Sequence, residues 1–211
     1  MRKWLPLIVI VGTLVFTAAV FDRLPERMVT HWNAAGEPDG YGSRFMGAFL
    51  LPLVVLGMWG LMLVLPKLDP RQANIEKFRG SYEALMLAVV AVMCALHVSI
   101  LGTALGWPIE VHRAAPILIG ALFIVLGNLL PRFRSNFFFG IRTPWTLSSE
   151  TAWLRTHRLG GWVMGGLGLA LVLTGVLGRS EWIRVLVGGT VVLVVSVMAN
   201  SYFVWRSEQR R

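Results

Sequence analysis

The chain has 211 residues, 55% of them hydrophobic and only 15% charged, with a mean hydropathy of +0.65, where a soluble domain carries about 25% charged residues. That composition excludes an ordinary water-soluble globule. The net charge of +9 does not indicate a nucleic-acid binder, because Lys and Arg fall in short segments between apolar runs and not on one basic face. Anionic lipid is therefore the expected counterion, with no direct nucleic-acid partner.

Six apolar runs follow in chain order, from Trp4 to Val20, Phe45 to Pro66, Tyr82 to Leu105, Ala114 to Leu130, Gly161 to Gly178 and Ile183 to Trp205. Crossing hydrocarbon takes about 20 helical residues, because each rises about 1.5 Å and the backbone must satisfy its own hydrogen bonds there. The expected fold is an all-α integral membrane protein of six transmembrane helices. The first run follows Arg2 and Lys3, but its core is longer than that of a signal peptide and no clean cleavage site follows, so it reads as a retained span. Cys94 lies inside the third run and can form no disulfide within the chain, which removes a disulfide-stapled fold.

Positive charge sets the expected orientation. Of the 20 Lys and Arg residues, 14 fall at the termini and in alternate loops: Arg2, Lys3, Lys67, Arg71, Lys77, Arg79, Arg132, Arg134, Arg142, Arg155, Arg158, Arg206, Arg210 and Arg211. Both termini are thus expected in the cytoplasm of a multi-pass plasma-membrane protein. The chain divides into residues 1–66, two spans with an outer loop, and 67–211, four spans with an inner loop, packed as one compact membrane domain.

The outer loop, 21–44, contains His31, Trp32 and Asn33 before Gly36, Pro38, Asp39, Gly40 and Gly42. Pro38 pre-sets a turn, and Asp39-Gly40 and Gly42 supply positive-φ positions, so a compact ordered turn is expected at the membrane's outer edge. His31 with Asp39 or Glu37 has metal-ligand chemistry, and Trp32 could anchor a ligand. The plainer alternative puts Trp32 in the interfacial aromatic belt and His31 on loop backbone; a single His is a thin ligand set.

The inner loop, 131–160, is the densest in signals. Pro131 ends the fourth helix, Gly140 permits a turn, Thr143-Pro144 forces an extended residue, and Ser148 or Ser149 can cap a short amphipathic helix with Glu150 in its first turn. Glu150, Trp153 and His157 share one face of that helix. They form a candidate site with Arg142, Trp145 and Asn136, or an interfacial helix with Trp153 in the headgroups and Arg155 and Arg158 on anionic lipid.

Within the spans, His97 is read as a partner in an interhelical hydrogen bond in preference to a proton relay. Asn128, Ser196 and Asn200 are read as cross-helix bonds, and Gly161 to Gly165 as a close-packing spacing.

Leu24-Pro25, His31-Trp32-Asn33, Gly36, Asp39-Gly40 and Gly42, together with Asn136, Gly140-Ile141-Arg142-Thr143-Pro144-Trp145-Thr146-Leu147, Trp153 and Thr156-His157-Arg158, resemble the SdpI family, the immunity proteins of the bacterial sporulation-delaying-protein toxin system. The first stretch looks like the domain of unknown function that commonly precedes the immunity region. The resemblance implies a bacterial plasma-membrane protein that protects its cell from a secreted antimicrobial peptide, and in some relatives holds a cytoplasmic repressor at the membrane. The expected partners are therefore a toxin peptide and, for signal relay, such a repressor, with no cofactor. A membrane enzyme or metal-dependent site built on Glu150, His157, Arg142 and Asn136 is the alternative, with a small transporter using His97 and Glu83 behind it. Nucleophile motif, paired carboxylates and His-x-x-x-His spacing are all missing, which argues against an enzyme.

Overall fold

The computed structural model describes residues 2–33 and 37–210; Gly36 of the outer motif and Arg211 of the terminal cluster lie outside them. Among the described residues six helices are long and apolar enough to cross a membrane, the first together with the turn that follows it to Arg23: α1 Leu5–Val20, α2 Arg44–Leu68, α4 Arg79–Ala104, α5 Val111–Leu129, α7 Glu150–Val176 and α8 Trp182–Glu208. Two short helices, α3 Gln72–Glu76 and α6 Pro144–Ser148, lie in the connections.

The loop between α1 and α2 is an antiparallel hairpin of β1, Arg27–Trp32, and β2, Pro38–Ser43. Gly40 and Gly42 therefore do not turn the chain, and neither has the positive φ expected of it. They sit in β2 opposite β1, where a Cβ on Gly40 would come within 2.7 Å of the His31 Cβ and one on Gly42 within 3.0 Å of the Thr30 methyl. The glycines serve close strand approach across an irregular register between Val29 and Trp32. Met28 and Leu24 anchor the hairpin in a buried cluster with Val20, Ala48 and Leu101.

The fifth span also differs from expectation. Ser149 caps it as anticipated, its hydroxyl accepting from the Ala152 N–H at 2.9 Å, but the helix that begins there continues unbroken to Val176. The short helix of this loop is instead α6, whose start at Thr143-Pro144 is a capping box.

α5 and α7 pack backbone to backbone. Cβ atoms on Gly120 and Gly127 of α5 would lie 2.5 Å from the carbonyl oxygens of Gly168 and Gly161, and those two glycines are constrained by α5 in return. Of the expected Gly161–Gly165 pair only Gly161 is constrained by α5, since a Cβ on Gly165 would meet nothing within 4 Å. α1, α2 and α4 pack through Ile10, Val55, Met86, Val90 and Cys94.

His97 is buried and bridges α4 to α1. Thr17 Oγ1 donates to the Thr13 carbonyl at 2.8 Å, so it accepts from His97 Nε2–H at 2.9 Å. This is the interhelical bond read from the sequence. Thr17→Val, nearly isosteric, should cost about 1 kcal/mol, read as a drop of a few degrees in the melting midpoint of purified protein. An unchanged midpoint would remove the bond from any account of stability.

Candidate functional site

The two ordered loops occupy opposite ends of the bundle. At the hairpin end, His31 Nδ1 donates to Asp39 Oδ1 at 2.5 Å across the two strands, both side chains well exposed. Asn33 Nδ2 donates to Glu37 Oε2 at 3.1 Å, and Asn33 Oδ1 accepts from the Glu37 N–H at 3.0 Å. Those pairings join the ends of the two strands at Asn33 and Glu37. Trp32 is half-buried and lines a groove of about 400 Å³ with Met28, Val29, Ile100 and Ile109. Arg27 and Pro38 of the two strands line it as well, as do Glu110 and His112, so charged groups stand among its apolar walls.

At the other end, residues 133–143 have no regular secondary structure, so their backbone groups need other partners. Asp69, after α2, is buried and accepts from the Phe137 N–H at 2.8 Å, the Phe138 N–H at 3.2 Å and the Arg71 N–H at 2.7 Å. Asn136 is fully buried; its Oδ1 accepts from the Phe138 and Phe139 N–H groups at 3.0 and 2.6 Å, and its Nδ2 donates to the Arg134 and Phe139 carbonyls at 2.9 and 3.0 Å. Asn74 Nδ2 holds the Ser135 carbonyl at 2.8 Å, and Arg71 reaches the Ser135 hydroxyl. Phe133 stacks on Phe78 and Phe139 packs on Tyr82, over a cluster that includes Ile75, Leu129 and Trp153.

α7 closes this knot. Trp153 is fully buried, and its indole N–H donates to the Phe133 carbonyl at 2.8 Å, so an interfacial helix with Trp153 among headgroups does not describe it. His157, also fully buried, stacks on Trp153 at 4.0 Å between ring centres. Its Nε2 accepts from the Ile141 N–H at 3.0 Å, so Nδ1 carries the proton and donates to the Trp153 carbonyl at 2.8 Å. Gly140 has φ of +103° and lies directly beneath His157 Nε2, where no side chain fits. Thr146 Oγ1 accepts from the Thr143 N–H at 2.8 Å and donates to the Ile141 carbonyl at 2.9 Å.

The predicted inner residues therefore separate into two sets. Asn136, Trp153 and His157 converge in the knot. Arg142 is exposed, with Nη1 on the Phe137 carbonyl at 2.6 Å, Trp145 is half-buried against Tyr202 of α8, and Glu150 is exposed on the first turn of α7. Both nitrogens of His157 are committed to backbone, so it offers neither base nor ligand while the loop is folded. Among the described residues no three His, Cys, Asp or Glu side chains are placed to hold a metal ion. Sequence reasoning missed Asp69, Asn74 and Ser135, and gave Thr146 no role beyond its place in the motif; the available signal was Asp69 itself, an acid between Lys67 and Arg71 at the end of a span.

Fold and loops together define a multi-pass helical membrane protein with one ordered element at each end of its bundle. Residues 132–201 match the SdpI/YfhL protein family, and residues 8–56 match a domain of unknown function, DUF1648. Over 205 residues the chain is 25% identical to Immunity protein SdpI of Bacillus subtilis (strain 168), covering 96% of both proteins. The resemblance read from the two loops is thus borne out. No solved structure matches the chain.

Proposed function

We propose that the protein protects a bacterial cell against a secreted antimicrobial peptide, with the hairpin end facing outward and the knot end in the cytoplasm. The observation that carries this is similarity to an immunity protein along 96% of both chains. The charge distribution between alternate loops supports the orientation. The groove beside Trp32 supports the outer contact, because a mostly apolar slot with an aromatic wall suits an apolar peptide side chain. His31, Asn33 and Asp39 hold the hairpin in shape for that contact. Asn136, Trp153 and His157 hold the inner loop, so that Arg142, Trp145 and Glu150 present a defined cytoplasmic surface for a repressor.

Expression in a toxin-sensitive host tests the reading: survival should rise against at least one peptide of a panel. Trp32→Ala, a change at a half-exposed site, should leave membrane abundance unchanged. It should weaken protection by roughly thirtyfold, the equivalent of about 2 kcal/mol for a buried aromatic anchor. No survival gain against any peptide would sink the proposal, and full protection by Trp32→Ala would remove the groove from it.

A further inference from the structure

Where α5 and α7 close on their glycines, the exposed flank of the pair is left without side chains. A groove of about 440 Å³ follows, lined by Ile124, Gly127, Asn128, Arg158, Trp162 and Gly165 among others. Its floor is helix backbone and Ile124. Its mouth, at the knot end, holds the exposed guanidinium of Arg158, and Asn128 Oδ1 accepts from Arg132 Nη2 at 3.0 Å, which brings a second guanidinium to the same rim. None of the described residues lining the groove is acidic, and among the described residues no carboxylate pairs with Arg132 or Arg158. Trp162 is 79% exposed beside it, suited to the boundary between headgroups and hydrocarbon.

Two guanidiniums without a counter-charge call for an anion, and Arg matches phosphate oxygens with paired donors. Arg158 and Gly165 are seven residues apart on α7, about 10 Å along the axis, so cationic mouth and apolar floor match the distance from a lipid phosphate to the middle of its acyl chain. We infer that this groove binds one anionic phospholipid, its phosphate on Arg158 and Arg132 and an acyl chain lying over Gly127 and Gly165 toward Ile124. The inference is independent of any toxin and concerns a face of the bundle away from the hairpin.

Native mass spectrometry of the full chain released from detergent tests it, with phosphatidylglycerol and phosphatidylcholine of identical acyl chains as probes. Phosphatidylglycerol should be retained about tenfold better, the scale of one charge-assisted contact. The Arg132→Gln/Arg158→Gln double variant should fall to the phosphatidylcholine level, while Arg155→Gln, an exposed arginine outside the groove, should not change. Gly165→Leu should block retention by filling the groove, because a Cβ there meets nothing within 4 Å and so leaves the α5–α7 contact undisturbed. Equal retention of the two lipids, or undiminished retention by the double variant, overturns the assignment. So does efficient disulfide-linked dimerisation of Trp162→Cys in native membranes, which would make a second copy of the chain the occupant.

Discussion

Gly168→Ala is expected to destabilise the protein strongly, and Gly166→Ala, two residues away on the same helix, to leave it unchanged or slightly more stable. Alanine is favoured over glycine inside a helix by about 1 kcal/mol, so both substitutions begin with a gain. At Gly166 a new Cβ meets nothing within 4 Å. At Gly168 it would sit 2.6 Å from the Gly120 carbonyl oxygen and 2.8 Å from the Ile124 nitrogen. Those neighbours are backbone of α5, so relief requires the two helices to separate. Overpacking that side chains can absorb costs about 1–3 kcal/mol, and a clash with backbone on a whole helix face belongs at the upper end or beyond.

The effect should be general along the seam. Gly120 and Gly127 on α5, and Gly161, Gly168 and Gly175 on α7, repeat every seven residues, the spacing that keeps one helix face against a slightly inclined neighbour. Melting of the purified protein should show Gly168→Ala well below the parent and Gly166→Ala at or above it. A Gly168→Ala protein that melts at the parental temperature would mean that α5 and α7 do not touch in this way.

The six spans were legible because hydrocarbon imposes a single demand, an unbroken apolar helix, and hydropathy measures that demand directly. Where other forces decide, reading was partial. Residues 150–160 read as a short helix separate from the fifth span because Glu150, Arg155 and Arg158 interrupt the apolar pattern, yet these three are exposed while Trp153, Thr156, His157 and Gly160 are buried in one continuous helix. The helix there is held by contacts with residues 133–143, which no local pattern encodes. Gly40 and Gly42 read as turn residues because glycine's commonest use is positive φ; pairing with β1 gives them a different one. His157 and Asn136 were legible as special, but not as structural, since satisfaction of a buried polar group depends on partners such as Asp69 that lie far away in sequence. The seam's seven-residue repeat was in plain view on α7 and became interpretable only when α5 supplied its half.

Asn136→Ala should open the inner loop while leaving the six-helix bundle assembled. Its side chain contacts four main-chain groups, and only the Phe138 N–H retains a second acceptor, at Asp69 Oδ2. The Phe139 N–H and the Arg134 and Phe139 carbonyls would be left unsatisfied at about 1–3 kcal/mol each if they stayed dry. A loop at the end of a bundle has a cheaper course: it swings out to water, so the measurable loss is capped by the local opening energy and not by the sum. Opening breaks the Tyr82–Phe139 contact and frees the backbone around Arg132, Arg134 and Arg142, whose side chains are already exposed, so trypsin should cut there while the membrane-spanning helices remain protected. Asp69→Ala acts on the same backbone at Phe137 and Phe138 and should give the same cleavage. Because either change already releases the segment, the double variant should lose little more stability than the worse single one, a coupling of opposite sign to independent additivity. Additive losses in the double variant, or a loop that resists trypsin in Asn136→Ala, would show that residues 133–143 are not one cooperative unit.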